Sequence, residues 1–411
     1  MAARKDNKGR ALRKGEFQRK SDGKYVYGYV DPYGNRRYIY AKELKHLRSR
    51  EDQLIKNQLD GLDVYVAGSA DLNFVFDRYI STKSELRETT YTNYTYMYDR
   101  FIREGIGRNK IGEIKYSDLL YFYYDLLNEK KLQINTLETI HTILHPTFQL
   151  AVRDEIIRLN PSDGIMAEIK KKKGKNKGVR HALTLEQQRA FMNYTRENPV
   201  FHKWSPFFTV LLGTGCRIGE AIGLRWQDVD FDKRLIDINH SLTYYPRRKD
   251  TYKCEFKVSL PKTEAGIRTI PMMNTVYEAF QEEYEKQQDE GFNITEVDGM
   301  TGFIFTNRFG NVHNPQAVNR AIKRIREAYN ADEIVIAKKE KRQPLIIPHF
   351  SCHHLRHTFC SRFCENETNV KVIQSVMGHA SIETTMDIYA EVTDSKKQES
   401  LESLARNLDI F

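Results

Sequence analysis

Apolar side chains along the first sixty residues fall into two alternating runs. Tyr25-Val26-Tyr27-Gly28-Tyr29-Val30 and Arg37-Tyr38-Ile39-Tyr40 repeat with period two on either side of Asp31-Pro32-Tyr33-Gly34-Asn35, whose residues predict a turn and hence a hairpin. Over 42–60 the spacing changes, with Leu44, Leu47, Leu54, Ile55 and Leu59 near helical intervals until Gly61. The prediction is a small three-stranded sheet covered by one helix. From Leu72 to about Ile165 the pattern is helical throughout: Phe76/Tyr79/Ile80, Tyr91/Tyr94/Tyr98/Phe101/Ile102, Leu119/Leu120/Phe122/Tyr123/Leu126/Leu127, then Thr136 to Ile157. This predicts an all-helical domain of about four helices. Pro146 is expected to kink or interrupt the last one. The tyrosine stripe reads as core, because its spacing lays one helix face on its neighbours.

Residues 170–180 (KKKKGKNKGVR) offer almost nothing to a core and predict a basic linker. Beyond Leu183 a mixed pattern begins, with helices near 184–196, 205–213 and 217–226, strands near 235–245, 253–259 and 267–271, then helices to the end. Residues 331–345 (ADEIVIAKKEKRQPL) read as a long charged connection without a role. The expected architecture is multidomain α+β, divided as 1–68 (sheet plus helix), 69–169 (helical), 170–182 (linker) and 183–411 (mixed, mainly helical, with a small antiparallel sheet).

Composition narrows the partners. The 411 residues carry 65 Lys/Arg against 55 Asp/Glu, a net charge of +10, and residues 1–50 alone hold 15 Lys/Arg against 5 Asp/Glu. All the excess therefore sits in the first eighth of the chain, as expected of a device for a polyanion, most often nucleic acid. A two-stranded ribbon with Arg and Tyr on its open face can enter a DNA major groove, although an ordinary surface hairpin fits the same pattern. The candidate DNA contacts are Arg19, Lys20, Lys24, Arg36 and Arg37 in this module and Lys171, Lys172 and Lys173 in the lysine run. No apolar run approaches the roughly 20 residues of a membrane helix, and five cysteines without a Cys-x-x-Cys pair encode no disulfide framework. The expected compartment is the reducing cytoplasm, with no membrane partner.

Two segments hold candidate chemistry. Phe207–Gly223 (FFTVLLGTGCRIGEAIG) has glycines at 213, 215 and 219, but the spacing is one residue too long for a dinucleotide fingerprint and no second βαβ unit follows. What remains is a turn presenting Arg217 at a helix start, with Glu220 three residues on to hold it. In the second, His353/His357 and Cys360/Cys364 are i, i+4 pairs that zinc can use, yet no closed set of four has the usual knuckle spacing. Cys360 and Cys364 read more simply as buried small residues.

Taken in order, Thr214-Gly215-Cys216-Arg217-Ile218-Gly219-Glu220, Pro261-Lys262-Thr263 with Arg268-Thr269-Ile270-Pro271, His353-His354-Leu355-Arg356-His357-Thr358, Met377-Gly378-His379 and Tyr389 resemble the motifs of the tyrosine recombinases. The helical region ending Asn160-Pro161 is similar to that family's core-binding domain, and the basic hairpin module resembles the arm-binding domain of phage-type and conjugative-transposon integrases, the transposon branch most of all. Cys216 departs from the family's usual apolar residue, and Ala390-Glu391 follow Tyr389 where several members have a histidine. Neither change removes a catalytic group.

The resemblance implies a site-specific recombinase that integrates and excises a mobile element through a 3′-phosphotyrosine intermediate and a Holliday junction, as a homotetramer on double-stranded DNA. It implies Tyr389 as nucleophile, with Arg217, Lys262, His353, Arg356 and His379 completing the catalytic set and Glu220 supporting. No metal or other cofactor is expected. An excisionase and a host DNA-bending protein are the expected accessory partners. The helix read at 395–408 is a candidate for docking on a neighbouring protomer or for capping its own domain. Lys257 and Arg268 are read as contacts to DNA or solvent only. The alternatives are a chromosome-dimer-resolving recombinase, which the N-terminal module argues against, and a non-catalytic architectural DNA-binding protein, which the full residue set opposes.

The chemistry accounts for the same residues. A phosphodiester attacked by a phenol passes through a crowded anionic phosphorane, and fixed guanidinium forks stabilise its non-bridging oxygens. Two histidines add hydrogen bonds, and a mobile lysine can protonate the departing 5′ oxygen.

Overall fold

The computed structural model describes residues 4–30, 36–59, 70–173, 182–246, 254–261 and 263–390. The 31–35 turn, the 60–69 boundary, most of the 170–182 linker, Lys262 and the 395–408 helix therefore lie outside the described residues. The chain forms two compact units, residues 1–177 and 178–411.

In the first unit β1 (Glu16–Gln18), β2 (Tyr25–Val30) and β3 (Arg36–Ala41) make an antiparallel sheet, covered by α1 (Leu44–Leu59). Tyr25, Ala41, Leu44 and Leu47 are buried together, because Tyr25 and Ala41 pair across β2 and β3 and point at the helix. The other face covers Val26 but leaves Tyr38 and Tyr40 each more than 40% exposed. Alternation also separates the two arginines of β3: Arg36 shares the parity of Tyr38 and Tyr40, whereas Arg37 pairs with Tyr29 on the helix side.

A second apolar cluster joins α2 (Leu72–Ser81), α3 (Glu88–Phe101), α4 (Tyr116–Asn128), α5 (Ile134–Arg153) and α6 (Ile165–Lys173). The tyrosine stripe is core as expected: Tyr98 is fully buried, its ring stacked on Phe76, and its hydroxyl donates to Asn73 at 3.1 Å. Pro146 does not interrupt α5. Ile140, Ile143, Leu144, Thr147, Phe148 and Ala151 are all buried around it, and this burial outweighs the roughly 3 kcal/mol that an interior proline costs. The lysine run read as linker begins as the last turn of α6, where Lys170 pairs with Glu138 and Lys172 with Glu168.

The second unit begins with α7 (Leu185–Glu197), α8 (Ser205–Thr214) and α9 (Ile218–Gly223). Strands β4 (Val229–Asp230), β5 (Leu235–Ile238) and β8 (Arg268–Pro271) form one antiparallel sheet, and β6 (Ser241–Pro246) and β7 (Cys254–Ser259) a separate hairpin. The single strand read at 235–245 is therefore split between two sheets. The break falls where Asn239 donates to Asp228 and His240 meets the Gly223 carbonyl at 2.7 Å, which redirects the chain.

Helices α10 (Asn274–Glu290), α11 (Pro315–Glu340), α12 (Cys352–Asn366), α13 (Val370–Met377) and α14 (382–390) complete the unit. Most of the charged connection read at 331–345 is the end of α11. Ala337 is buried there, and Arg342 folds back on Glu333 after Lys341 stops the helix in the left-handed region, at φ 55°. Among the described residues no helix is long and apolar enough to cross a membrane.

Two half-buried imidazoles, one in each unit, set an acid limit. Burial pushes His141, bonded to the Tyr123 hydroxyl, and His313, packed on Trp204, down from 6.5 to about 4. As pH falls from about 6.5 towards 4 the unfolded chain takes up protons that the folded chain refuses, so stability present at neutral pH is lost across that window. The urea midpoint of each transition is expected to be lower at pH 5 than at pH 7.5, with the drop in the first unit reduced by His141→Gln. An unchanged or higher midpoint at pH 5 would contradict the assignment.

Candidate active site: three guanidiniums on one helix end

Helix α8 stops at Thr214 because Gly215 turns into the left-handed region, at φ 63°. A Cβ at Gly215 would stand 2.4 Å from the Phe359 ring, so both the backbone conformation and the close approach require glycine. The turn delivers Arg217 to the N-cap position of α9. Glu220, in the first turn of that helix, accepts the Arg217 backbone N–H and its Nη1, both at 2.8 Å.

Arg217 Nη2 reaches across to donate to the Gly378 carbonyl at 2.9 Å. Arg356, buried on α12, donates from Nη2 to the Met377 carbonyl at 2.6 Å and from Nη1 to the Gly215 carbonyl at 2.7 Å. Arg268 donates from Nε to the Val376 carbonyl at 2.7 Å. Three consecutive carbonyls at the end of α13 are thus each held by a different arginine. These oxygens are among those a helix C-terminus leaves without intrahelical partners, and they sit at the negative end of its dipole.

Arg268 corrects the reading of the sequence, which gave it to DNA or solvent. Its side chain is 4% exposed and its fork closes on Glu220 at 2.8 and 3.3 Å. Strand parity carried the signal, since Arg268 and Ile270 share the buried face of β8. Burial works to raise the Glu220 carboxyl, but Arg268 and Arg217 outweigh it and hold the group below the ordinary glutamate value. Burial and the neighbouring Arg217 pull Arg356 down to about 10, so it remains charged at neutral pH. Three cations against one carboxylate leave the pocket positive.

His379 follows Gly378, whose left-handed φ of 62° makes the turn. Burial, then the charge of Arg356, pushes this imidazole down to about 4, so it is neutral at physiological pH. Its Nδ1 lies 2.9 Å from the hydroxyl of Thr385, a buried residue of α14 that no motif flagged. His353 is exposed on the first turn of α12, one turn before Arg356, and lies within electrostatic reach of His379. Tyr389, on α14, is half-buried, its ring packed on the cluster of Cys360, Cys364, Ile373 and Met377. Arg217, Glu220, Arg356, His379 and His353 are therefore brought together, and Tyr389 packs on the cluster formed by the helices that carry Arg356 and the gripped carbonyls.

Apart from Lys262, which lies outside the described residues, the remaining candidates belong to the first unit. Arg19 pairs with Asp22 and lies 5.1 Å over the Tyr40 ring, and Lys24 also pairs with Asp22. Lys20, Arg36, Lys171 and Lys172 are exposed, Arg37 is partly covered, and the Lys173 side chain lies outside the described residues.

Against known proteins, the phage integrase family matches residues 181–396, and the DNA-binding domain of the Tn916 integrase matches residues 1–58. The transposase from transposon Tn1545 of Streptococcus pneumoniae is 30% identical over 403 residues, covering 95% of this chain and 94% of the relative. The transposase from transposon Tn916 of Enterococcus faecalis shows the same identity and coverage. Among solved structures, the Tn1549 transposon integrase in complex with a circular intermediate DNA is 26% identical at a TM-score of 0.68, spanning 82% of this chain and all of that one. A lambda integrase dimer bound to a core site, 16% identical at 0.53 over 92% of this chain and 95% of that one, shares the fold. With a family match over more than half of its length and relatives aligned nearly end to end, the chain belongs to the phage integrase family, in its conjugative-transposon branch of tyrosine recombinases.

Proposed function

We propose that this recombinase integrates and excises a conjugative transposon by using Tyr389 to attack a DNA phosphodiester between Arg217 and Arg356. The observation that carries the reading is the convergence of those two guanidiniums on neighbouring carbonyls of α13, with more positive charge than Glu220 neutralises. An in-line attack by the Tyr389 oxygen forms the tyrosine–phosphorus bond as the phenol proton passes to water, breaks the bond to the 5′ oxygen, and leaves a 3′-phosphotyrosine and a free 5′ hydroxyl. Charge developing on the non-bridging oxygens falls to the two fixed forks. Neutral His379, held by Thr385, donates a hydrogen bond to the same oxygens. His353 adds a further hydrogen bond to the phosphate. Lys262 is the general acid for the 5′ oxygen. Because the phosphotyrosine conserves the bond energy, attack by the 5′ hydroxyl of a second strand rejoins DNA without ATP or a metal ion.

On DNA the chain acts in the cytoplasm as a homotetramer, pairing two sites and passing through a Holliday junction, assisted by an excisionase and a host DNA-bending protein. Residues 1–68 bind arm sites. Residues 69–169 bind core-site DNA, and residues 183–411 carry the cleavage chemistry. The match of residues 1–58 to a transposon integrase's DNA-binding domain favours this reading over chromosome-dimer resolution. The gathered arginines favour it over an architectural role.

The division of labour at the site is testable with a nicked duplex bearing the element end. Tyr389→Phe should bind this duplex yet form no covalent adduct. Lys262→Ala should slow cleavage by on the order of 10²–10⁴, and a 5′-bridging sulfur, which leaves without that proton, should restore its rate. Equal impairment on both substrates would reduce Lys262 to a phosphate contact, and an adduct with Tyr389→Phe would move the nucleophile to another tyrosine.

The basic N-terminal module gives a second test. A chain beginning at Ser69 should still cleave short crossover duplexes but recombine full element ends poorly, because it can no longer bridge two sites. Unimpaired recombination by the truncated chain would contradict the arm-binding role.

A further inference from the structure

Arg268 carries no assigned chemistry, yet its side-chain hydrogen bonds among the described residues all go to the active-site scaffold. It lies against the turn that follows α13, so close that a Cβ on Gly378 would stand 2.9 Å from its Nη1. Its Nε holds the Val376 carbonyl, three residues before His379, and its fork spans both Glu220 oxygens, the same two that Arg217 reaches with its Nη1 and its backbone N–H. One buried carboxylate is therefore shared between two guanidiniums. Arg268 is almost wholly buried, whereas the Arg217 side chain is 43% exposed and can meet a ligand.

The electrostatic consequence follows from counting charges. With Arg268 present, Glu220 is satisfied from the protein side and Arg217 keeps net charge for an incoming anion. Without Arg268 the same buried carboxylate has Arg217 as its remaining salt-bridge partner, and an ion pair closed one to one is a poor phosphate ligand. The Val376 carbonyl would also lose the donor that fixes the approach to His379.

We propose that Arg268 is a positioning residue of the recombinase, which frees Arg217 for the scissile phosphate by taking up the charge of Glu220 and steadies the turn from which His379 projects. The inference rests on the active-site reading above. Its test is single-turnover cleavage of the nicked element-end duplex by the full chain at saturating protein, with DNA affinity measured in parallel.

Arg268→Met should lower the cleavage rate constant by roughly 10²-fold while changing affinity by less than about threefold, since phosphate contacts spread over the DNA dominate binding. Arg268→Lys, which keeps the charge and loses the fork, should fall between Met and wild type. The double variant Arg268→Met/Glu220→Gln should cleave at least about tenfold faster than Arg268→Met alone, because the uncompensated carboxylate is gone. Cleavage by Arg268→Met at the wild-type rate, or a double variant no faster than the single one, would overturn the proposal. If Arg268→Met fails to fold, Arg268→Lys decides: a slower rate at unchanged affinity supports the role and a wild-type rate overturns it. Arg217→Ala and Arg356→Ala in the same assay separate the two levels. Normal cleavage by either means that the active-site reading has failed, whereas their inactivity beside a fully active Arg268→Met means that only this inference has.

Discussion

Three successive carbonyls, of Val376, Met377 and Gly378, are gripped by Arg268, Arg356 and Arg217, and the geometry of the pocket depends on that grip. Each arginine arrives from a different element: β8, α12 and the start of α9. A helix end that would otherwise bury unsatisfied oxygens becomes the common anchor of three cations, and the helix dipole favours positive charge there. The anchoring explains how parts of the chain 161 residues apart come to share one site.

Like charges so placed repel, and taking guanidiniums out of water costs several kcal/mol per ion. Glu220 offsets part of this cost by serving Arg217 and Arg268 together. Arg356 receives only carbonyl oxygens from the protein contacts described, a shortage of negative charge beside a guanidinium that burial and the neighbouring Arg217 already pull down to about 10. The shortage is useful, because the group that best completes the pocket is an anion carrying several acceptor oxygens. A phosphodiester on its way to a phosphorane fits that description. His379 adds to the same economy by staying neutral, so that it can donate a hydrogen bond without a further buried charge.

Much of this was legible in the sequence. Period-two and helical spacing located the N-terminal sheet and its helix, and the tyrosines of α3 announced a core face. The spaced motifs placed Arg217, Glu220, His353, Arg356 and His379 before any fold was known. What escaped had physical causes. Arg268 looked like a surface residue because a charged side chain on a short strand is usually exposed, and only its parity with Ile270 argued otherwise. Thr385 had no signal, since its role comes from a tertiary contact with His379. The end of α11 reads as a charged loop because its stability comes from burial of Ala337 and the Glu333–Arg342 pair rather than from an apolar stripe. Pro146 suggests an interruption from local propensity alone, whereas the core on either side of it keeps α5 continuous.

The central claim is that Arg217 and Arg356 form a ready-made cradle for the reacting phosphorus, with Tyr389 in line. A crystal structure of the full chain on a duplex broken at the crossover position, with orthovanadate bridging the ends, tests it most directly. The account predicts equatorial vanadate oxygens within hydrogen-bond distance of both guanidiniums and the Tyr389 oxygen at an apical position. Vanadate bound away from these two arginines, or capped by another side chain, would contradict it.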